Sequence, residues 1–396
     1  MHELQQHVKP ARAAIDPLVK APLTAAAQHH VTHTCSVQER MGRLLGTDGV
    51  RGVVNDDLTP ELAHAPFTYV LLAHNHPAAV VRLARAILTE VPQSRIVVHY
   101  SALSGPFPDC SDERIIAVEH PAAVQWATFS QTDMMLRSLE QIRRSGLPNS
   151  WIVMLSGQSY PVRPLRAFEQ MLSSCGADAY LWFKRIERSE RDLCERYSFH
   201  YVPVGNGPLP FPFNVRCVRG VVNRMQPLVR VKSNPRAAFV GYRARRSIFD
   251  VVPNVYYGTQ WLALSGKAAD YITGAIHERP DLLDLYRRTS CAEESFFPTV
   301  LQNAPDLRTL NDDVHYTDWS TIRTGSPRSL LMKDLPAIER SDKWFARKID
   351  PGADDGLRDA LDAVRARRAT GDAFLAPVTM RAPYNAGSLR VGALRY

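Results

Sequence analysis

The sequence has no long hydrophobic run. The apolar runs YVLLA (69–73), RIVVHY (95–100) and WIVMLS (151–156) have the length of β-strands, whereas a membrane-spanning helix needs about 18 to 20 apolar residues. The first 30 residues also lack the apolar core and small-residue cleavage site of a signal peptide. These absences predict a protein with no membrane span and no anchor, and we expect it in the cytoplasm.

Cysteine is scarce and shows no metal-ligand spacing. No two cysteines form a CxxC pair, and the six are Cys35, Cys110, Cys175, Cys194, Cys217 and Cys291. Without such a pattern, the preferred interpretation is reduced thiols in a cytoplasmic protein.

Length and charge set the next bounds. With 396 residues and 45% hydrophobic content, the chain can bury at least one large core. The net charge is +8, and the basic residues are spread through the sequence rather than gathered in a tail. This charge favours anionic small molecules as ligands. Nucleic-acid binding is the alternative, and the criteria for basic patches do not favour it.

The order of predicted elements indicates an α/β fold. YVLLA, the helix-period segment 78–91 and RIVVHY form a β-α-β unit, and the helix-period segment 130–146 leads into WIVMLS. Such units predict a parallel sheet with right-handed crossovers. Ligands of such sheets bind beyond the carboxyl ends of the strands, so we expect a crevice near His74, Ser101 and 156–159. The Pro-rich stretch 201–214 predicts a loop that ends an excursion beginning near Trp182.

Several separated segments resemble one family in order. They are FTYVLLAHNHPAAVVRLARAIL (67–88), RIVVHYSALSG (95–105), WIVMLSGQSYPVRPL (151–165), YYGTQWLALS (256–265), AEESFFPTVL (292–301), DWS (318–320) and FARKID (345–350). From about Phe67 to about Asp350 the chain resembles the core-2/I-branching β-1,6-N-acetylglucosaminyltransferases and their peptide O-xylosyltransferase relatives. The resemblance implies a GT-A-like glycosyltransferase fold, with a Rossmann-like nucleotide-binding half, a mixed, mostly parallel sheet and an acceptor-side C-terminal part.

The ends of the chain need a separate interpretation. We predict an N-terminal extension over 1–65, a catalytic domain over 66–350, and a C-terminal helix and tail over 351–396. MGRLLGTDGVRGVVNDDLTPELA (41–63) resembles the first residues of bacterial phosphoglucosamine mutase, and it hints at a bacterial source. That family's downstream phosphoserine and acidic metal loop have no counterpart here. The fragment is therefore interpreted as non-catalytic, either a remnant of gene fusion or the product of a start codon placed too far upstream.

An acidic pair supplies the predicted catalytic base. The resemblance places Glu294 at the family's general base, and Glu293 beside it on the acceptor side. A sugar transfer that inverts the anomeric centre needs one carboxylate aimed at the attacking hydroxyl. Adjacent helical residues point about 100° apart, so Glu293 is not expected to share this role. The alternative is that both glutamates only charge the first turn of a helix.

Cations are predicted to replace a metal ion at the leaving diphosphate. No persuasive Asp-x-Asp motif is present, and the resemblance assigns Arg328 and Lys348 to the diphosphate. Arginine offers a planar fork for phosphate oxygens and lysine a compact charge. We therefore expect metal-independent transfer with no cofactor. For both residues the alternative is an ordinary solvated charge.

Further contacts follow from the resemblance. Trp319 is expected to stack on the acceptor sugar, with Ser159 nearby. His74, preceded by Leu72, is expected at the nucleobase, and Ser101 at the nucleoside. Ser101 and Ser159 replace family aspartates, which leaves thymidine and guanosine diphosphate sugars open beside the preferred UDP sugar.

The sequence thus predicts an inverting, β-linkage-forming glycosyltransferase. It would move GlcNAc, or alternatively xylose, from a UDP-sugar to a hydroxyl of a glycan or small metabolite. Two other classes stay open. One is a non-catalytic homologue that binds a sugar nucleotide or glycan, and the other is a phosphosugar mutase.

Overall fold

The structure is a computed structural model that describes residues 66–370 except 147, 206, 234–235, 321–325 and 355. The predicted N-terminal extension with its mutase-like fragment, and the predicted tail from residue 371, lie outside the described residues.

Helices and strands alternate through the first half of the described chain. The strands are β1 (Thr68–Ala73), β2 (Arg95–Tyr100), β3 (Ile115–Ala117), β4 (Trp151–Ser156), β5 (Tyr160–Pro161), β6 (Ala179–Leu181), β7 (Phe183–Arg185), β8 (Phe199–Gly205), β9 (Val229–Ser233), β10 (Ala238–Arg243), β11 (Tyr256–Gly258), β12 (Ala263–Ser265), β13 (Thr309–Asn311), β14 (His315–Tyr316) and β15 (Phe345–Ala346). The α-helices are α1 (Pro77–Glu90), α2 (Ser130–Arg144), α3 (Leu165–Ser174), α4 (Arg191–Ser198), α5 (Arg216–Met225), α6 (Gly266–Glu278), α7 (Pro280–Tyr286), α8 (Phe296–Gln302), α9 (Leu335–Arg340) and α10 (Gly356–Thr370).

A seven-stranded sheet forms the core, in the order β13-β6-β12-β4-β1-β2-β3. Strand β1 pairs in parallel with β2 and β4, and β12 runs antiparallel to both β4 and β6. Six strands therefore share one direction and β12 opposes them. This is the mixed, mostly parallel sheet of a GT-A-like fold, as the sequence predicts, and α1 and α2 lie within two residues of the predicted helical segments.

The central strands are buried on both faces. All six residues of β1 are buried, and alternate side chains enter different cores because successive residues of a strand point to opposite faces. Tyr69 and Leu71 join the core on the side of α1 and α3. Val70 and Leu72 join the core on the side of α2 and α6. This double burial explains why β1 is a continuous apolar run rather than an alternating one.

A small sheet is inserted between α4 and the later strands. Its order is β8-β10-β9, and we call residues 199–246 the inserted subdomain. The predicted loop over 201–214 is wrong in its first part, because 201–205 belong to β8. Proline is tolerated there since β8 is an edge strand, and the pairing with β10 shifts register next to Pro203.

A buried carboxyl at the amino ends of the strands gives a test of the core. Glu169 of α3 accepts hydrogen bonds from the Tyr69 hydroxyl at 3.0 Å and the Ser94 hydroxyl at 2.8 Å. Burial raises the pKa of Glu169 from 4.5 to about 7. The folded protein therefore keeps a proton that the unfolded chain releases, so stability falls as the pH rises from about 4.5 to about 7.

Glu169→Gln should remove this loss of stability. Relative to the parent chain, we expect the variant to gain about 2 to 3 kcal/mol between pH 5 and pH 8, measured by urea unfolding at both values. Glu119→Gln, at an exposed glutamate, is the control and should leave the pH dependence unchanged. Parallel pH profiles for the parent and Glu169→Gln would contradict the assignment.

Candidate active site

The two predicted glutamates lie on one short turn with different surroundings. A 3-10 turn over Ala292–Glu294 precedes α8, and Cys291 enters it with a left-handed φ of 54°. The Glu293 residue is 4% exposed, whereas the side chain of Glu294 is 23% exposed. Only Glu294 is therefore open to a substrate, and its role as base stays a prediction.

A buried arginine holds Glu294. Arg196, at 2% exposure, places its Nη1 at 2.6 Å from Oε2 of Glu294, and its guanidinium lies 5.8 Å from the ring centre of Tyr257. Sequence reasoning missed Arg196, because it is 98 residues away from Glu294 in the chain and belongs to no motif. The contact exists only because α4 and the Ala292–Glu294 turn meet in the fold.

The adjacent carboxyls have different electrostatic environments. Burial and then the charge of Glu294 raise the pKa of Glu293, whose Oε2 has no hydrogen-bond partner among the described residues. Burial also raises the pKa of Glu294, but the charge of Arg196 and hydrogen bonds from Arg196 and Tyr257 oppose that rise. The pair therefore favours a proton on Glu293 and a charge on Glu294.

The backbone around Lys348 is hydrogen-bonded to Leu330 and to the segment that follows β4. The Lys348 carbonyl accepts from the Leu330 N–H at 2.8 Å, and the next residue donates to the Gln158 carbonyl at 2.9 Å. Its ammonium is 3.9 Å from Oδ1 of Asp350, a carboxylate that Gln158 and Ser329 also contact. Burial lowers the pKa of Lys348. The loose contact with Asp350 leaves this cation suited to bind a second anion.

Arg328 is held much more tightly. Its Nη2 lies 2.6 Å from Asp318 and 2.7 Å from Asp334, and its Nη1 donates to the other Asp334 oxygen at 2.8 Å. Two carboxylates thus already occupy the fork that the sequence assigned to phosphate. The diphosphate role of Arg328 stays a prediction, and this geometry favours a role in fixing the loop that carries Asp318.

Trp319 follows Asp318 on that loop. The Trp319 side chain is partly open, with the residue 39% exposed, and its Nε1 donates to the Thr317 hydroxyl at 3.1 Å. An exposed indole can stack on the C–H face of a sugar, so the position is compatible with the predicted acceptor contact. The preceding residue, Asp318, is bound by Arg328.

The predicted nucleotide contacts divide into one exposed and two buried residues. His74 is exposed after β1, whereas Leu72 is 4% and Ser101 1% exposed. The Ser101 hydroxyl accepts from the Val124 N–H at 3.1 Å. Burial favours a supporting role for Leu72 and Ser101 beneath the crevice, and it leaves His74 as the candidate for direct contact.

Ser159 is also buried, at 2% exposure. Its hydroxyl lies 3.0 Å from Nε2 of His315, on a ring that packs 5.9 Å from Trp261. The guanidinium of Arg347 in turn lies 4.4 Å from the ring centre of Trp261. This geometry favours a structural role for Ser159 over acceptor contact, and the same holds for the buried Glu293.

Arg236, which the sequence prediction missed, extends the set of cations. It is an exposed residue between β9 and β10. Burial lowers the pKa of both Lys348 and His74, and the charge of Arg236 lowers both further. Its neighbour Ala237 packs in one buried cluster with Cys291, three residues before Glu294. The inserted subdomain therefore lies near Lys348 through Arg236 and packs next to the turn of Glu294 through Ala237.

The described part of the chain offers no group of three or more His, Cys, Asp and Glu side chains placed to hold a metal ion. None of its helices is long and apolar enough to span a membrane. The five cysteines in the described residues form no disulfide with one another.

One family model covers more than half of the chain. The family model described as "Core-2/I-Branching enzyme" matches residues 107–339. The β-glucuronosyltransferase GlcAT14A of Arabidopsis thaliana is 31% identical over 130 residues, which cover 32% of this chain and 28% of the plant protein. The xylosyltransferase oxt of Drosophila melanogaster is 32% identical over 117 residues, covering 24% and 13%. The chain thus spans less than a third of either relative.

A second similarity concerns a short piece of the chain. Phosphoglucosamine mutase of Staphylococcus aureus is 43% identical over 63 residues, which cover 14% of this chain and 14% of the mutase. A match over so small a share of the mutase leaves most of that enzyme without a counterpart.

Proposed function

The chain belongs to the core-2/I-branching enzyme family, and from that premise we propose that it is an inverting, metal-independent glycosyltransferase. It moves a sugar from a UDP-sugar to a hydroxyl of a glycan or small-molecule acceptor. The observation that carries this proposal is the pairing of the partly exposed Glu294 with the buried Arg196. That pairing keeps one oriented carboxylate charged where an acceptor can reach it.

Proton transfer begins at Glu294. Its carboxylate takes the proton of the acceptor hydroxyl, whose oxygen then attacks the anomeric carbon while the bond from that carbon to the diphosphate oxygen breaks. The proton stays on Glu294 and the electron pair leaves with UDP. Glu293 remains protonated and buried, so the site presents a single base and the anomeric configuration inverts.

Positive charge stabilises the departing UDP. Lys348 is the proposed principal cation, because its contact with Asp350 is long at 3.9 Å. Arg236 and His74 lie near it: burial and then the charges of Lys348 and Arg236 lower the pKa of His74. Preorganised cations at the leaving group act most strongly where charge develops in the transition state. This arrangement would perform the task that a divalent ion performs in other sugar transferases.

The donor sugar is the least constrained part of the proposal. GlcNAc is favoured by the sequence resemblance, with xylose as the alternative. The two relatives above are named for glucuronosyl and xylosyl transfer, so UDP-glucuronic acid joins UDP-GlcNAc and UDP-xylose as donors to test.

A thermal-shift titration tests nucleotide binding and metal independence together. A ligand present at about 100 times its Kd stabilises the native state by about 2.7 kcal/mol, and for this size of protein we expect a rise in Tm of about 3 °C. UDP should give this rise equally with Mn²⁺ and with excess EDTA. A rise that needs the metal contradicts the metal-independent clamp. A rise without UDP-sugar hydrolysis or transfer indicates a non-catalytic homologue.

Arg328→Lys separates the two roles of Arg328. Lysine keeps the charge but loses the fork that contacts Asp318 and Asp334 together. If Arg328 fixes the Trp319 loop, the KM for acceptor should rise about tenfold while the UDP-induced rise in Tm stays unchanged. Loss of the UDP effect would instead support the diphosphate role predicted from the sequence.

A further inference from the structure

The positive charge of the chain is concentrated in the inserted subdomain. Residues 199–246 contain eight arginines and one lysine, with no aspartate or glutamate, whereas the whole chain has a net charge of only +8. The rest of the protein is therefore close to neutral. A single-signed segment of this length indicates a surface for an anionic partner.

The two faces of the small sheet differ in their surroundings. On the inner face, Tyr201 and Phe239 pack in the cluster that contains Cys291. On the outer face, Val202 lies opposite Val240. These two valines are 52% and 36% exposed, and Tyr242 on the same strand is 48% exposed. The outer face is thus apolar and open.

Helix α5 and the turn after it enlarge this apolar surface. The side-chain amide of Asn223 donates to the Val231 carbonyl at 3.0 Å and accepts from its N–H at 2.8 Å, which fixes α5 along the edge of β9. Exposed apolar side chains then project from the helix and turn, namely Val221 at 56%, Met225 at 81% and Leu228 at 63%.

Arginines lie among these apolar side chains. Arg224 of α5 and Arg245, which follows β10, are exposed. Arg230 and Arg246 pair with Glu195 and Asp281, whereas Arg224 and Arg245 form no ion pair within the described chain. Arginines without acidic partners beside exposed Val, Leu and Met side chains are typical of proteins that lie in the interfacial region of an anionic membrane.

We propose that the outer face of the inserted subdomain and helix α5 bind the surface of an anionic phospholipid bilayer. Met225, Leu228 and Val221 enter the headgroup region, and Arg224 and Arg245 contact lipid phosphates. Pairing with a second copy is disfavoured, because two such faces would bring like charges together. Nucleic acid is the less favoured partner because Met225, Leu228 and Val221 are aliphatic, which leaves Tyr242 as the one side chain named above that could stack on a base.

This membrane contact stands without the proposed sugar transfer. If that transfer also holds, the contact names the class of acceptor. The inner face of the same sheet carries Lys232, which stacks 4.4 Å from the Tyr201 ring and whose pKa is lowered by burial and then by the charge of Arg196. The inner face of the sheet thus lies toward Arg196, the partner of Glu294, and for a protein held at a bilayer by the outer face a hydroxyl of a lipid-linked saccharide is the fitting class of acceptor.

Vesicle flotation with the full chain tests the membrane contact. Vesicles of phosphatidylcholine with about 30% phosphatidylglycerol should bind the protein at low salt, whereas pure phosphatidylcholine vesicles and 0.5 M salt should not, because salt screens the arginines. The double variant Met225→Glu/Leu228→Glu and the double variant Arg224→Glu/Arg245→Glu should each lower the bound fraction about tenfold or more. The matched control Tyr271→Glu/Arg340→Glu, at exposed positions outside the subdomain, should bind as the parent does.

Other results would overturn the proposal. These are the absence of flotation with anionic vesicles at low salt, or equal flotation of the parent and both subdomain variants at unchanged Tm. Light scattering could show a dimer mass for the parent and a monomer mass for Met225→Glu/Leu228→Glu, which would assign the face to self-association. Binding of an oligonucleotide without vesicle binding would assign the face to nucleic acid. Since flotation uses no donor or acceptor, its result is independent of whether sugar transfer is found.

Discussion

Glu294→Gln should lower the rate of sugar transfer by about 10² to 10⁴-fold, the range that a general base contributes. Glutamine has the size of glutamate and can still accept a hydrogen bond from Arg196, so the turn should keep its shape. The UDP-induced rise in Tm should persist, because Glu294 acts on the acceptor rather than on the nucleotide. The measurement is the single-turnover rate with saturating donor, together with the UDP titration.

Glu293→Gln is the matched control for this loss. It makes the same chemical change one residue earlier, at a side chain that is already buried and protonated in the proposed mechanism. Its transfer rate should stay within about threefold of the parent. Equal losses in the two variants would show that the pair acts jointly, and an active Glu294→Gln would exclude Glu294 as the base.

Lys348→Met should have the second largest effect. Methionine retains most of the aliphatic stem and removes the charge, so the developing charge on the diphosphate loses its nearest proposed cation. We expect the transfer rate to fall about 10² to 10³-fold, as for other preorganised donors at developing charge. The UDP-induced rise in Tm should also shrink, which distinguishes Lys348 from Glu294.

Lys343→Met provides the comparison for Lys348. Lys343 lies five residues earlier, and its ammonium is 2.6 Å from Asp312, so it already has a close carboxylate partner. This variant should keep the UDP effect and the transfer rate. A UDP effect that survives Lys348→Met and disappears in Lys343→Met would mean that the diphosphate lies elsewhere in the crevice.

The first half of the fold could be predicted because its signals are local. A continuous apolar run, a helix period and a second apolar run define β1, α1 and β2 without reference to the rest of the chain. The position of β12 could not be predicted in this way. It is three residues long, and its antiparallel place between β4 and β6 is set by packing among residues far apart in sequence.

The site shows the same division. Glu294, Lys348 and Trp319 were found through matching segments, and the structure gives each of them some exposure. Arg196 was missed because a buried arginine in α4 has no sequence signal for its partner. Arg328 was assigned to phosphate because a sequence shows an arginine but not the two aspartates that its fork contacts. The absence of acidic residues from 199–246 is visible in the sequence itself, whereas its exposure beside an apolar face is not.

The small sheet of the inserted subdomain is protected against growth by strand addition. Asn223 satisfies the outward N–H and C=O of Val231, and Gln226 does the same for Val229, donating to its carbonyl and accepting from its N–H at 2.6 Å each. On the opposite edge, Pro203 has no N–H to offer. An exposed apolar sheet with open edges would template amyloid-like stacking between chains. Because the β9 edge is already hydrogen-bonded and the β8 edge contains a proline, the subdomain can expose an apolar face to water without pairing with strands of other chains.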